Sequence, residues 1–498
     1  MIDMKRDYKY IVMVCTLLFG IVFSGCTDLE VEFNDSYYVE QTDEGFTKVD
    51  VEAVLISAYS RLNSIVGSSY NGVSGLNEQT SDELMIPTRA TDWGNGGVHR
   101  LLHAHNWDAA HNDILSVWND LNVGVYYCNQ ILASNPTTLQ AAEAKTIRAY
   151  LMYHLIDLFG QVPFREVDQG VDEDPAVWNR SEAFDFAVGE LEAVMNDLPD
   201  GGPDVEDPTK MSKAFVHALL AKFYISKAVY KSANPAGPYT FEAADMNKVV
   251  AHCDAVQSYG YELEENYFDN FNKNSRKEKI LTFTKWWNGM WIWPQLHNSQ
   301  GGWNGATTLG SFYDKFETND KRLFYSPDGG RGFGLLEGLQ TKSDGSTYLN
   351  RSGEPLVFTK EVLLTGNADF EGIRVLKYDP NSDDGFVLMR YADIRLLKAE
   401  AILRGATATN GETAESIVNE LRTIRGASNT TVNLEMLLDE RGRELYWEGI
   451  RRSDQVRFGT FSTTTWEFKD VTDDNLVLFP IPNLAVESNP NFTQNPGY

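Results

Sequence analysis

The chain has 498 residues, of which 42% are hydrophobic, 12% aromatic and 23% charged, and its formal net charge is −28. That apolar content is ample for a large core, in one large domain or several small ones. An acidic surface of this size repels phosphate backbones and lacks the basic footprint of a nucleic-acid binder, which excludes that class of function.

Lys5, Arg6 and Lys9 precede an apolar run over residues 11–23 that is too short to span a bilayer comfortably as a permanent helix. The run ends in Phe23-Ser24-Gly25-Cys26, small residues before a cysteine. This spacing predicts a bacterial lipoprotein signal: residues 1–25 are removed and the Cys26 thiol is lipidated. Several acyl chains on one residue make a stable anchor where a single chain is marginal. The alternative is an ordinary signal peptide with a chance cysteine. Residues 26–43 (Asp28, Glu30, Glu32, Asp35) read as an acidic spacer, and 44–498 as one domain. No later apolar run approaches membrane length, so that body is expected to be soluble and tethered. Cys128 and Cys253 offer neither a disulfide framework nor metal spacing and read as buried small hydrophobes.

A helix is predicted from about Thr47 to Leu62, followed by a turn cluster over residues 67–72. Residues 80–100 have no period. They form a long loop rich in Asp, Arg, Asn and Gly with Trp93 at its tip, and long structureless loops in compact domains are often functional. His99, His103, His105 and His111 follow without a zinc-protease spacing, and are expected mainly to pack. Amphipathic helices are then predicted over 114–133, 139–159, from Ser181, over 210–230 and over 244–259, with more over 385–403, 412–425 and 434–449. Paired helices with short turns suggest a tetratricopeptide-like array. The fold class is therefore all-α dominated. Helical pairs over 44–260 and 385–460 form a frame that carries a large irregular insert over about 261–384.

That insert holds five of the chain's 11 tryptophans between Trp286 and Trp303, mixed with Asn, Gly, Ser and Gln. Such a stretch reads as a loop-rich surface presenting flat rings, or else as rings filling a core beneath a long loop. An acidic protein with flat aromatic faces suits a neutral flat ligand, and a sugar ring with its C–H face is the obvious one. The candidate stacking rings are Trp93, Trp287, Trp291 and Trp303, with Trp286 next. The candidate polar groups are Arg89, Asn95, Asp92 and Asn304. Arg89 and Asp92 have an alternative role as a loop-fixing ion pair. Trp286 and Trp287 are adjacent, so in an extended segment they point to opposite sides and one of them is expected in the core.

Glu440, Glu444 and Glu448 repeat every four residues, which suggests either acid/base chemistry or an ion network locking the last helix, and the network is the stronger reading. The chain has no nucleophile elbow, phosphate loop or dinucleotide fingerprint. No catalytic residue, cofactor or metal ligand is assigned, and Ca2+ in a loop is left open.

Several stretches resemble the SusD/RagB family of Bacteroidetes outer-membrane lipoproteins. They are the Cys26 lipobox, Ala141 to Tyr150 running into Asp157-Leu158-Phe159-Gly160-Gln161-Val162-Pro163, and Arg390 to Ala401. Asp439 to Asp454 and the ending from Phe479-Pro480-Ile481-Pro482 to Tyr498 complete the set. The resemblance implies an all-α lipoprotein on the cell surface that captures glycans, pairs with a SusC-like TonB-dependent transporter and is not a hydrolase. It also implies an aromatic arc with nearby Arg, Asn and Asp, which the loops around Trp93 and Trp287 would form. The alternatives are a glycan-processing hydrolase and capture of another nutrient such as peptide on the same frame.

Overall fold

The computed structural model describes residues 46, 48–67, 70–169, 173–283, 295–327, 329–379 and 385–498. The first helices are α1 (Val51–Leu62), α2 (Val73–Gln79), α3 (Val98–His103), α4 (Asn112–Ala133) and α5 (Thr138–Leu158). A hairpin of β1 (Gln161–Phe164) and β2 (Ala176–Asn179) leads into α6 (Arg180–Val194), α7 (Lys213–Tyr230) and α8 (Ala243–Ser258). The region between the helical blocks carries β3 (Lys279–Thr282), the single turn α9 (Gly310–Tyr313), β4 (Phe324–Tyr325), β5 (Phe333–Leu336), β6 (Gly338–Leu339), β7 (Val357–Phe358) and β8 (Arg374–Leu376). Then come β9 (Val387–Arg390), α10 (Tyr391–Leu403), α11 (Ala414–Ile424), α12 (Leu434–Leu445), α13 (Arg451–Phe458) and α14 (Asn483–Ser488).

Side-chain caps set the helix starts. Asp50 accepts from the backbone of Glu52 and Ala53 before α1. Thr137 with Gln140 and Asn179 with Glu182 form reciprocal boxes before α5 and α6. Ser212 caps α7 through Phe215 N. Removing such a cap typically costs about 1 kcal/mol. The helices pair as expected, α4 on α5, α7 on α8 and α10 on α11, and α10 also packs on α8. Gly124 lets α4 and α5 approach closely, because a Cβ there would stand 2.6 Å from Leu151 Cδ1. Cys128 and Cys253 are both buried in this frame.

Two expectations change. The stretch 385–390 is extended rather than helical, because β9 pairs antiparallel with β3 and buries Arg390 among carboxylates. The insert is also not without order: β5 pairs with β4 and β8, and β6 with β7, all antiparallel. These strands are two to four residues long, below the length at which alternation is visible in a sequence.

The C-terminal tail closes the frame. Phe479 N donates to Leu158 O, Asn495 Nδ2 donates to the carbonyls of Phe159 and Phe479, and Trp107 Nε1 donates to the Tyr498 hydroxyl. Among the described residues no helix is long and apolar enough to cross a membrane.

The glutamate ladder lies inside this frame. Arg322 binds Asp320, Glu440 and Glu444, while Arg390 binds Glu278, Glu444 and Glu448. Arg425 closes the set on Glu278 and Glu444. Burial would raise these carboxyls, but the arginines outweigh it: Glu440 is held at about 2 and Glu444 far below the usual carboxylate range. These groups are permanently ionised and enclosed, so they act as an interior lock and not as acids or bases.

Candidate functional site

The loop before α3 curls tightly. Arg89 and Asp92 exchange backbone hydrogen bonds of 3.0 and 2.8 Å, and Ala90, Trp93 and Asn95 all have positive φ, followed by Gly96 and Gly97. Left-handed conformations are uncommon for non-glycine residues and cluster where surrounding contacts over-determine them. The curl brings Asp92, Trp93 and Asn95 to one rim.

Three neighbours fix the pose of Trp93. Its indole lies across the backbone of Gly305, where a Cβ would stand 2.4 Å from Cε2. Its Nε1 donates to Trp303 O at 2.9 Å. The edge of Tyr70 meets it at a centroid distance of 5.7 Å and 70°. Behind the ring, His99 Nδ1 lies 2.8 Å from Gln79 Oε1, and its Nε2 lies 3.3 Å from Asn95 Nδ2. Burial lowers this imidazole to about 4, so it is neutral and can donate to Gln79 while accepting from Asn95.

The second side of the site is a closed loop. Asn304 N donates to Leu296 O and Gly302 N donates to His297 O. Only glycine fits at 302, since a Cβ would sit 2.1 Å from Leu296 O. The loop raises Trp303, which is 40% exposed, and Asn298 beside it.

A third element arrives from the turn after the strand-like segment 346–350. Arg351 places Nη2 2.8 Å from Asp92 Oδ2 and 2.7 Å from Asn298 Oδ1, and its backbone N donates to Asp369 Oδ2 at 2.6 Å. Arg351 and Asp92 remain about half exposed, so their pair contributes at most ~1 kcal/mol to stability and stays open to a ligand. Asp369 also accepts from His297 Nε2 at 2.9 Å. Burial works to raise the Asp369 carboxyl, but the Arg351 N–H and His297 hold it below the ordinary value.

Together Tyr70, Asp92, Trp93, Asn95, Asn298, Trp303 and Arg351 line an open depression of about 580 Å³. Its lining combines three aromatic rings with amide, carboxylate and guanidinium groups. Of the residues expected here, Asp92, Trp93, Asn95 and Trp303 come together. Trp286, Trp287 and Trp291 lie outside the described residues, as does Cys26.

Two residues expected to meet a ligand directly are instead beneath the surface. Arg89 is 1% exposed; its guanidinium donates to the carbonyls of Ala368, Glu371 and Gly305, and burial pulls it down to about 9. Its side chain therefore does not pair with Asp92, which binds Arg351. Asn304 is also 1% exposed, donating to Asp369 O and accepting from Arg374 Nη2. Both are floor residues because backbone carbonyls pointing inward need donors.

Sequence reasoning missed Tyr70, Asn298 and Arg351. Tyr70 stood in a marked turn cluster and Asn298 in the Trp-rich stretch, so composition flagged both neighbourhoods. Arg351 carried no local signal, and only the hairpin's reach brings it to Asp92. The four early histidines go to separate partners: His99 to Gln79 and Asn95, His103 to the carbonyls of Leu84 and Glu467, His105 to that of Thr80, and His111 to that of Val98. Among the described residues no group of three His, Cys, Asp or Glu is arranged to hold a metal ion.

Residues 378–498 match the model of the SusD family. The starch-binding protein SusD of Bacteroides thetaiotaomicron is 24% identical across 97% of this chain and 98% of its own length. SusD-like protein P2 of Formosa agariphila is 22% identical across 99% of this chain and 100% of its own. Surface glycan-binding protein A from Bacteroides uniformis shares the fold with a TM-score of 0.69 at 19% identity, covering 89% of this chain and 98% of that one. Surface glycan-binding protein A from Bacteroides thetaiotaomicron, solved in complex with laminarihexaose, gives 0.64 at 18% identity, with coverages of 89% and 98%. The chain is thus similar to SusD and SusD-like proteins along nearly its whole length and shares their helix-dominated fold, and its residues 378–498 carry the match to the SusD family model.

Proposed function

We propose that this protein captures oligo- or polysaccharide at the depression between Trp93 and Trp303. It would hand the glycan to a SusC-like TonB-dependent transporter while anchored to the outer membrane through lipidated Cys26 and facing the cell surface. The observation that carries this reading is the meeting of the two indoles with Asp92, Asn298 and Arg351 in one open depression, from chain segments over two hundred residues apart. Indole faces stack on the C–H faces of sugar rings, each contact adding about 0.5–1.5 kcal/mol beyond area burial. The polar groups read hydroxyl positions, since a wrong epimer leaves them unpaired. A few such contacts give an affinity on the order of micromolar to millimolar, which suits a protein that must release its ligand. The starch-binding relative and the laminarihexaose complex support a glycan as ligand class.

The reading also favours binding over hydrolysis. Glycosidic cleavage uses two carboxyl groups flanking the bond, and among the described residues the lining of the depression contributes one, Asp92, already paired with Arg351. The test is a glycan array on wild type, Trp93→Ala and Trp303→Ala. Wild type is expected to retain a glycan that both variants lose. Binding of no glycan by wild type would sink the ligand class, equal binding by all three would sink the site, and turnover of the bound glycan would sink the non-enzymatic role.

A further inference from the structure

On the helical frame, away from the depression, two imidazoles face each other. His217 on α7 and His252 on α8 hold their Nδ1 atoms 2.9 Å apart, with ring planes inclined by 44°. Both side chains are half-buried. Tyr224 lies parallel to His252 at 10° and 5.7 Å, and Tyr259 flanks His217 at 6.4 Å, so aromatic neighbours hold both rings. Lys248 is turned to the Tyr224 hydroxyl at 3.0 Å, and that hydroxyl donates to Glu192. Burial lowers both imidazoles below their ordinary value, so at neutral pH each is uncharged.

A neutral pair in this pose has two states. One ring donates Nδ1–H to the other, or both carry the proton on Nε2 and two lone pairs converge. The second state is repulsive unless a cation sits between them, and it is the state that binds metals. Metal–imidazole bonds run about 2.0–2.1 Å. Two ligands in adjacent corners of a square or octahedron are then about 2.9 Å apart, and two corners of a tetrahedron about 3.3–3.4 Å. The observed 2.9 Å fits the square or octahedral edge, the preference of divalent copper and nickel, and imidazole is a ligand both accept.

We propose that His217 and His252 form a two-nitrogen clamp for a divalent transition-metal ion of square or octahedral preference, Cu2+ foremost, with water at the remaining positions. The ion bridges α7 and α8, which contribute nothing to the lining of the depression, so the proposal stands or falls independently of the glycan site.

The test is titration of the full chain in detergent with Cu2+, followed by electron paramagnetic resonance. One equivalent of Cu2+ is expected to show coupling to two imidazole nitrogens. His217→Gln and His252→Gln are each expected to weaken binding by about tenfold or more, and the double variant to lose the two-nitrogen signal while its circular dichroism matches wild type. If wild type binds no Cu2+ at micromolar concentrations, the pair is a neutral hydrogen bond and the proposal fails. If the double variant binds as wild type does, the copper lies elsewhere and the proposal fails equally.

Discussion

Gly305→Ala displaces a ring without deleting it. The new Cβ would stand 2.4 Å from Trp93 Cε2 and 2.5 Å from Cζ2, whereas carbon atoms make ordinary contact at about 3.5–4.0 Å. The indole must therefore retreat by roughly 1 Å or more, which breaks its 2.9 Å hydrogen bond to Trp303 O. Gly305 does not use a left-handed conformation, so alanine is tolerated by the backbone. The lost hydrogen bond lowers stability by about 1 kcal/mol. The lost stacking pose removes about 0.5–1.5 kcal/mol of ligand binding, or roughly two- to tenfold in affinity. Isothermal titration with the glycan selected on the array, beside a urea unfolding curve, separates the two effects. Unchanged affinity in Gly305→Ala alongside lost affinity in Trp93→Ala would show that ring position does not matter. That result would refute the argument from Trp93 packing.

Other expectations follow from the same geometry. Arg351→Ala should weaken glycan binding several-fold while shifting the unfolding midpoint little, since its pair with Asp92 is half exposed; a large loss of stability would contradict this. Arg89→Met should do the reverse at first order. It leaves the Ala368 carbonyl without its donor and the Glu371 carbonyl with Arg374 alone, and lowers stability by about 1–3 kcal/mol in urea titration. Glu78 and Glu83 are buried side by side, and burial raises both carboxyls, that of Glu78 to about 7. The folded state thus keeps a proton that the unfolded chain releases near its ordinary value of 4.5. This contribution is fully present below about 4.5 and is lost as pH rises through about 7. Glu78→Gln should therefore gain stability over wild type between pH 5 and pH 8, by an amount on the order of 1–3 kcal/mol. Parallel unfolding midpoints across that range would show that Glu78 is not the titrating group.

Much of the frame was legible from the residues. Helices with a wide apolar face and a capping side chain, such as those after Thr137 and Asn179, start within a residue or two of where pattern and cap place them. The stretch 385–390 was misread because its apolar content serves a helix or a buried strand equally, and pairing with residues 279–282 decides it. At the site, the loop with Trp93 announced itself by lacking any period, yet which of its polar side chains face outward could not be read locally. Arg89 and Asp92 look alike in the sequence. One turns inward because three carbonyls from distant segments converge beneath the loop, and the other turns outward because Arg351 reaches it from a hairpin.

The way Arg89 holds the floor bears on how such a site can change over generations. Its acceptors at Ala368, Glu371 and Gly305 are main-chain oxygens, which are present whatever side chain the position carries. Replacement of Ala368 or Glu371 therefore leaves those acceptors in place, and the rim residues Asn95, Asn298 and Arg351 can vary above an unchanged base. A layer bonded through main chain and a layer made of side chains are separately mutable. That separation lets one scaffold be refitted to a new ligand by exchanging a few surface residues, with the packing underneath left intact.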